Sequence, residues 1–250
     1  MNADELKEYS LKRGLNLGQA EKDYYQNIIL FSIYGKFARE LVFKGGTAIA
    51  KCYGINRFSE DLDFTVTKKI DVINEIIDGL NNFGIKNHVK EREKTEKTEK
   101  YKIKIEGPLY KESEKTLCSV TLDLSLREMI LLDPKIVTIG HHMDIIPTFD
   151  VYVMAEEEIF AEKIRAIMTR ESARDLYDIN FLIKKGINTD KKIINRKLEL
   201  VNMKFEKNEF MKKCKQLKEI WNSELRSLIK NVPDFKTNLN EIKCWVEKIG

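Results

Sequence analysis

Apolar residues recur along this chain with two different periods, and the change from one to the other divides it near residue 150. Before that point helical stripes alternate with short runs of strand spacing; from Met154 onward the pattern is almost wholly helical. Tyr24, Ile28 and Phe31 fall on one helical stripe and predict a helix over 19–37. Val72, Ile73, Ile76, Ile77, Leu80 and Phe83 fall on another and predict one over 71–83. Leu41, Val42 and Phe43 read as a short buried strand. Asp61 to Val66 forms a second strand, and period-two alternation marks three more, in His88 to Arg92, Tyr101 to Glu106 and Ser119 to Ser125. These three strands each have one wet face, so the sheet is expected to be antiparallel or mixed. The charged run 91–102 alternates into Ile103 and Ile105, which favours a hairpin over disorder. In the second half Phe210, Cys214, Leu217, Trp221, Leu225 and Leu228 share one stripe, and Leu239, Ile242 and Val246 another. Both are packing surfaces. The expected organisation is an α/β part over 1–150 and a helical part over 151–250, with no repeat and no Pro/Gly/Ser-rich linker.

Composition narrows the class. A chain of 250 residues, 34% charged and 42% hydrophobic, suits a soluble globular protein of one large or two modest domains. Its longest apolar runs, such as Ile28 to Phe31 and Met129 to Leu132, are too short for a bilayer, and the first residues lack the order of a secretory signal. Cys52, Cys118, Cys214 and Cys244 lie far apart without a Cys-x-x-Cys pair, so reduced thiols in a cytoplasmic protein are expected and zinc is not. Only three histidines occur, His141 and His142 being adjacent. Any metal should therefore be held by oxygen ligands, which suits Mg²⁺ or Mn²⁺.

The net charge of +4 is unevenly spread. Residues 1–150 carry 23 basic against 24 acidic side chains, residues 151–250 carry 21 against 16, and the segment 184–218 carries 12 against 4. A block of that sign fits either a polyanionic partner or a solvated helix face.

The chemistry-bearing residues cluster in 44–63. Gly45 and Gly46 open a helix expected from Thr47 to about Tyr53, and a glycine-opened helix start exposes N–H groups to an anion. Asp61 and Asp63 follow at i and i+2 on a strand, so both point to one face about 7 Å apart. Carboxylates so placed repel unless a cation or proton lies between them. Nucleotidyl transfer requires such carboxylates, divalent ions and a grip on the departing pyrophosphate. The third carboxylate is expected on a neighbouring strand, and Asp123, between Leu122 and Leu124, is the candidate. Each feature alone is common; their order along the chain is specific.

Lys44-Gly-Gly-Thr47 and Arg57-Phe-Ser-Glu-Asp-Leu-Asp63 resemble the signature of the abortive-infection nucleotidyltransferase toxins, the AbiEii/AbiGii type, with their MenT-like relatives of type IV toxin–antitoxin systems. Ala161-Glu-Lys-Ile-Arg-Ala166, Arg174-Asp-Leu-Tyr-Asp178 and Glu21-Lys-Asp-Tyr24 resemble further motifs of that family, so the resemblance spans about 20–185. It implies an α+β nucleotidyltransferase fold of the DNA polymerase β type, a mixed sheet flanked by helices, followed by an all-α C-terminal part. It also implies catalytic Asp61, Asp63, Asp123, Lys163 and Asp175, with Asp61, Asp63 and Asp123 as metal ligands for Mg²⁺ or Mn²⁺. The implied nucleotide-binding set is Lys44, Gly45, Gly46, Thr47, Arg57, Ser59 and Lys163. Without the resemblance Lys163 reads as a surface lysine, Asp178 can pair with Arg174 along a helix, and Arg165, Arg170 and Arg174 stay open between phosphate contacts and surface pairs.

The expected activity is transfer of a nucleoside monophosphate from NTP to an RNA acceptor, a tRNA 3′ end among the candidates, by a toxin with a cognate antitoxin. A nucleotidyltransferase of small, antibiotic-type molecules and a non-catalytic nucleotide-binding regulator are the alternatives.

Overall fold

A computed structural model describes residues 1–140 and 146–249 of the chain; the pair His141–His142 lies outside the described residues. Backbone contacts group the chain into two units. One comprises Met1–Cys52, Phe58–Ile130 and Pro134–Val153, the other Tyr53–Arg57, Leu131–Asp133 and the chain from Met154 on.

The first unit runs α1 (Ala3–Arg13), α2 (Leu17–Tyr34), β1 (Leu41–Lys44), α3 (Gly45–Ala48), β2 (Asp61–Val66), α4 (Val72–Asn82), β3 (Asn87–Lys94), β4 (Thr98–Ile105), β5 (Cys118–Ser125), β6 (Lys135–Ile139) and β7 (Phe149–Val153). The seven strands form one sheet in the order β3-β4-β5-β2-β1-β7-β6. The β2–β5 and β1–β7 pairs are parallel and the other four antiparallel, so the sheet is mixed. Helix α2 packs on the sheet against β5 and β7, and α4 lies beside α2 and β3. Asn16 starts α2 in a reciprocal cap with Gln19, which satisfies donors the first turn would leave orphaned. Gly79 of α4 lies directly on Ser32 of α2, where a Cβ would collide with the serine side chain, so glycine sets how close the two helices come.

Alternation along β2, β4 and β5 sends Leu62, Phe64, Tyr101, Ile103, Ile105, Val120, Leu122 and Leu124 into the core. The residues between them face the opposite side, and they make the site.

The second unit is helical: α5 (Glu156–Thr169), α6 (Ala173–Lys184), α7 (Lys191–Glu199), α8 (Lys207–Gln216), α9 (Lys218–Leu225) and α10 (Phe235–Lys248). Helix α5 packs on α6, α7 and α8, and α6 on α9 and α10. Phe160, Phe205, Phe210 and Trp245 stack in its core, and Trp221 packs against Tyr177 and Phe235.

Three expectations are corrected. The helix after β1 starts at Gly45 rather than Thr47, and from Ile49 to Tyr53 it is a π-helical turn. The apolar stripe 210–228 is not one helix: it breaks at Leu217, between α8 and α9, and Leu228 lies beyond the end of α9. Helix α1 and the β6–β7 pair add to the elements expected from the pattern. They bury too few side chains to print it, Leu6 and Tyr9 in α1 and Ile139 alone in β6. No helix of the described residues is long and apolar enough to cross a membrane.

Candidate active site

Strand register gathers the expected carboxylates on one face of the sheet. Asp63 of β2 lies directly opposite Asp123 of the parallel neighbour β5 and opposite Lys44 of β1, while Asp61 pairs with Thr121. Residues opposite one another in register share a face, so Asp61, Asp63 and Asp123 form one polar group across two strands. Asp61 is exposed and Asp63 half-buried. Asp123 is not bare: Lys100 of β4 stands 3.4 Å from its Oδ2 and the Thr98 hydroxyl donates to its Oδ1 at 3.3 Å. The alternation of β4 carried Lys100 in the sequence, but nothing there singled it out as Asp123's partner.

The glycine turn is built around Asp63. Gly45 has φ +75, a left-handed conformation that favours glycine, and a Cβ there would fall inside the Asp63 carboxylate. Thr47 is buried and its hydroxyl donates to the backbone carbonyl of Asp61. The turn therefore touches the aspartate strand twice, once by side-chain clearance and once by a hydrogen bond. The Thr47 hydroxyl, engaged with Asp61, braces β2 against the turn. Lys44, expected to hold nucleotide, is buried and ion-paired with the buried Glu128, which no local pattern singled out. Gly46 is buried in the same turn. Ser59 lies half-buried just ahead of β2, with its carbonyl and that of Glu60 anchored by the Gln26 amide at 3.0 and 2.9 Å.

Beneath the turn lies a buried polar cluster. Lys51, in the π-helical turn, reaches Asp23 and Asn27 of α2, both at 2.7 Å, and Tyr9 of α1 donates to Asp23 at 2.6 Å. Burial alone would raise Asp23, but the Lys51 ammonium, Arg13 and the two hydrogen bonds hold its carboxyl at about 2. Burial also pulls the Lys51 ammonium down. Asp23 thus takes hydrogen bonds from Lys51 and Tyr9, with the Arg13 guanidinium 3.5 Å away.

The second unit holds Arg57, Lys163 and Asp175. Arg57 forks onto Asp178 at 2.6 and 2.7 Å, and Lys163 bridges Asp175 and Asp178, each at 2.7 Å. Arg170 completes the network on Asp175 at 3.0 Å. All but Arg170 are buried. Burial opposes charge on Asp175, yet Lys163 and Arg170 hold its carboxyl below the ordinary range; burial likewise opposes charge on Lys163, which Asp175 and Asp178 hold above it. Lys163 is thus no surface lysine. Arg57 and Lys163 are each ion-paired with buried carboxylates, Arg57 with Asp178 and Lys163 with Asp175 and Asp178. Asp178 pairs with Arg57 and Lys163 rather than with Arg174, which faces Glu224 at 3.9 Å.

No three His, Cys, Asp or Glu side chains among the described residues are gathered as a metal cage. Two same-face carboxylates nonetheless suit Mg²⁺, which is bound by one or two carboxylates with water and substrate phosphates completing its shell. The clearance that Gly45 leaves beside Asp63 fits that donor set.

Comparison with known proteins bears on this geometry. Residues 28–242 match the family described as "Nucleotidyl transferase AbiEii toxin, Type IV TA system". Among solved structures, the chain is similar to the MenT4 nucleotidyltransferase toxin from Mycobacterium tuberculosis H37Rv, with a TM-score of 0.72 at 18% identity, covering 100% of this chain and 91% of that one. It is similar to JHP933 from Helicobacter pylori, with a TM-score of 0.65 at 22% identity, covering 92% and 90%. A putative nucleotidyltransferase from H. pylori gives 0.65 at 23%, covering 90% and 92%. At these identities the structures show a shared fold. A search of curated proteins gave no match.

Proposed function

The chain belongs to the AbiEii nucleotidyl transferase toxin family of type IV toxin–antitoxin systems, and on that premise we propose that it is a metal-dependent enzyme moving NMP from NTP onto an RNA acceptor. The observation that carries this reading is the pair Asp61 and Asp63 on one face of β2, with Asp63 lodged against the Cβ-less Gly45. In the reaction the acceptor hydroxyl attacks the α-phosphorus, the bond to the β-phosphate oxygen breaks, and pyrophosphate departs. Asp61 and Asp63 would hold Mg²⁺ or Mn²⁺, which when bound supplies neutralisation of phosphate charge. Gly45 leaves the space into which Asp63 projects, and Thr47 fixes the height of Asp61 by its bond to that residue's carbonyl. Asp123, beside Asp63, is the carboxylate we assign to receive the proton of the attacking hydroxyl. The buried network of Arg57, Lys163, Asp175 and Asp178 holds its own unit together.

An RNA acceptor is favoured over a small molecule by basic surface. In the segment 184–218 several lysines, Lys191, Lys192, Lys212 and Lys215 among them, have no ion-pair partner among the described residues, and neutralising phosphates gives sequence-independent affinity. A cationic small acceptor would call for an acidic pocket instead. The family also implies an antitoxin partner, and the cytoplasm is the expected compartment. Incubating the protein with each labelled NTP, Mg²⁺ and total RNA tests the reading. Labelled RNA is expected with wild type and none with Asp61→Asn or Asp63→Asn; absence of any labelled acceptor with wild type refutes it.

A further inference from the structure

The polar face bearing Asp61, Asp63 and Asp123 does not end at β5. Register continues it across β4 and β3 in rows. Asp63 and Asp123 lead to Lys100; Asp61 and Thr121 lead to Lys102 and then Lys90; Ser119 leads to Lys104 and then His88. Alternate lysines on β4 recur every ~7 Å along the strand. Lys100 shares its charge with Asp123 and Glu93, and Lys104 with Glu114. Lys102 and Lys90 stand directly opposite one another; neither forms a salt bridge among the described residues, and Lys90 acts on the Glu114 carboxylate only through space. Like charges facing across a sheet destabilise it. Protection of a sheet edge accounts for lysine on β3, which is an edge strand, but not for Lys102, because β4 is paired on both sides. Thr121 lies between Asp61 and Lys102 and Ser119 beside Lys104, and the buried Ser119 Oγ has no hydrogen-bond partner among the described residues.

We infer that this strip of β4 and β3 is the track of the acceptor strand: it binds the phosphates of a single-stranded RNA end whose terminal hydroxyl lies at the aspartates. The inference rests on the nucleotidyl-transfer reading and deepens it. Strands stand ~4.8 Å apart, so Lys102 is about 10 Å from β2 and Lys90 about 14 Å. A triphosphate seated on the Asp61–Asp63 edge ends before that distance, whereas a polymer continues over it. The strip is dominated by lysines, with His88 on the edge strand as a ring that a base could meet, so recognition is chiefly of phosphate rather than of sequence.

The test measures binding of a short fluorescent single-stranded RNA with a free 3′ hydroxyl to the full chain at several salt concentrations, alongside a fluorescent NTP. The Lys90→Glu/Lys102→Glu variant is compared with Lys230→Glu/Lys236→Glu, which makes the same charge change at exposed positions outside both the strip and the segment 184–218. The strip variant is expected to lose roughly tenfold or more in RNA affinity and to flatten the salt dependence by about 1.4 in log–log slope, two single-strand phosphate contacts. NTP binding should stay as in wild type. Unchanged RNA affinity in a strip variant that still labels RNA overturns the inference and leaves the transferase reading standing. An equal loss in the Lys230→Glu/Lys236→Glu variant overturns it in favour of diffuse charge attraction, and an equal loss of NTP affinity in favour of a triphosphate site. A wild type that neither binds nor labels RNA removes both.

Discussion

Substituting Gly45 by alanine isolates the contact on which the site is built. The residue has φ +75, and an added Cβ would lie 2.9 Å from Asp63 Cγ and 3.0 Å from its Cβ, with Oδ2 nearer still. Two costs follow. An L-residue in the left-handed region is strained by ~1–2 kcal/mol. Asp63 must also leave its rotamer, because the backbone on both sides is fixed by the β1–β2 ladder, where Lys44 pairs with Asp63; that adds about 1 kcal/mol. Gly84 provides the control: its φ is +67, yet nothing lies within 4 Å of the position its Cβ would take. Gly84→Ala should therefore cost only the ~1–2 kcal/mol of backbone strain and leave activity intact. Gly45→Ala should cost about 2–3 kcal/mol and, by moving a carboxylate about an ångström, lower nucleotidyl transfer on the order of 100-fold. Urea unfolding and incorporation of labelled nucleotide into RNA measure the two effects separately. If the two variants match in stability and Gly45→Ala transfers nucleotide at the wild-type rate, Gly45 does not position Asp63 and the account of the turn is wrong.

The other expectations concern charges. Asp61→Asn and Asp63→Asn should each lower nucleotidyl transfer by roughly 100-fold or more, and Asp61→Asn, at an exposed position, should leave the melting temperature near that of wild type; a wild-type transfer rate in either variant contradicts this. Lys163→Met leaves Asp175 and Asp178 short of a buried cation and should cost about 3–5 kcal/mol in urea unfolding. A cost below about 1 kcal/mol would show that the network is not structural. The carboxyl of Asp23 is depressed from 3.8 to about 2 in the folded chain, so its contribution is present above the unfolded value and is lost as pH falls from about 4 towards about 2. That contribution is about 2 kcal/mol, so the stability gap between wild type and Asp23→Asn should narrow across that window; a gap constant from pH 7 to pH 2 contradicts it.

How far the sequence could be read depends on whether a residue's partner is local. Strand β2 was legible from Asp61 to Val66 because one residue in two is apolar, and α4 because its apolar face is complete. Asp123 was placed on its strand by the same alternation, and register then brought it opposite Asp63. Helix α1 was not legible, since only Leu6 and Tyr9 are buried among charged neighbours, and its start depends on a cap between Asn2 and Glu5 rather than on a stripe. Long-range pairings were equally hidden. Lys44 meets Glu128 from 84 positions away and Arg57 meets Asp178 from 121, while the local pattern pointed Asp178 at Arg174. The case of Lys163 shows the physical reason. An amphipathic helix marks which face is apolar, but it does not say whether a lysine on that face's border turns outward or inward. Two aspartates delivered by the next helix decide it, because together they offset the desolvation that would otherwise keep an ammonium at the surface. Wherever a charge is buried, its position follows from its counter-charges, and those are set by the assembled fold.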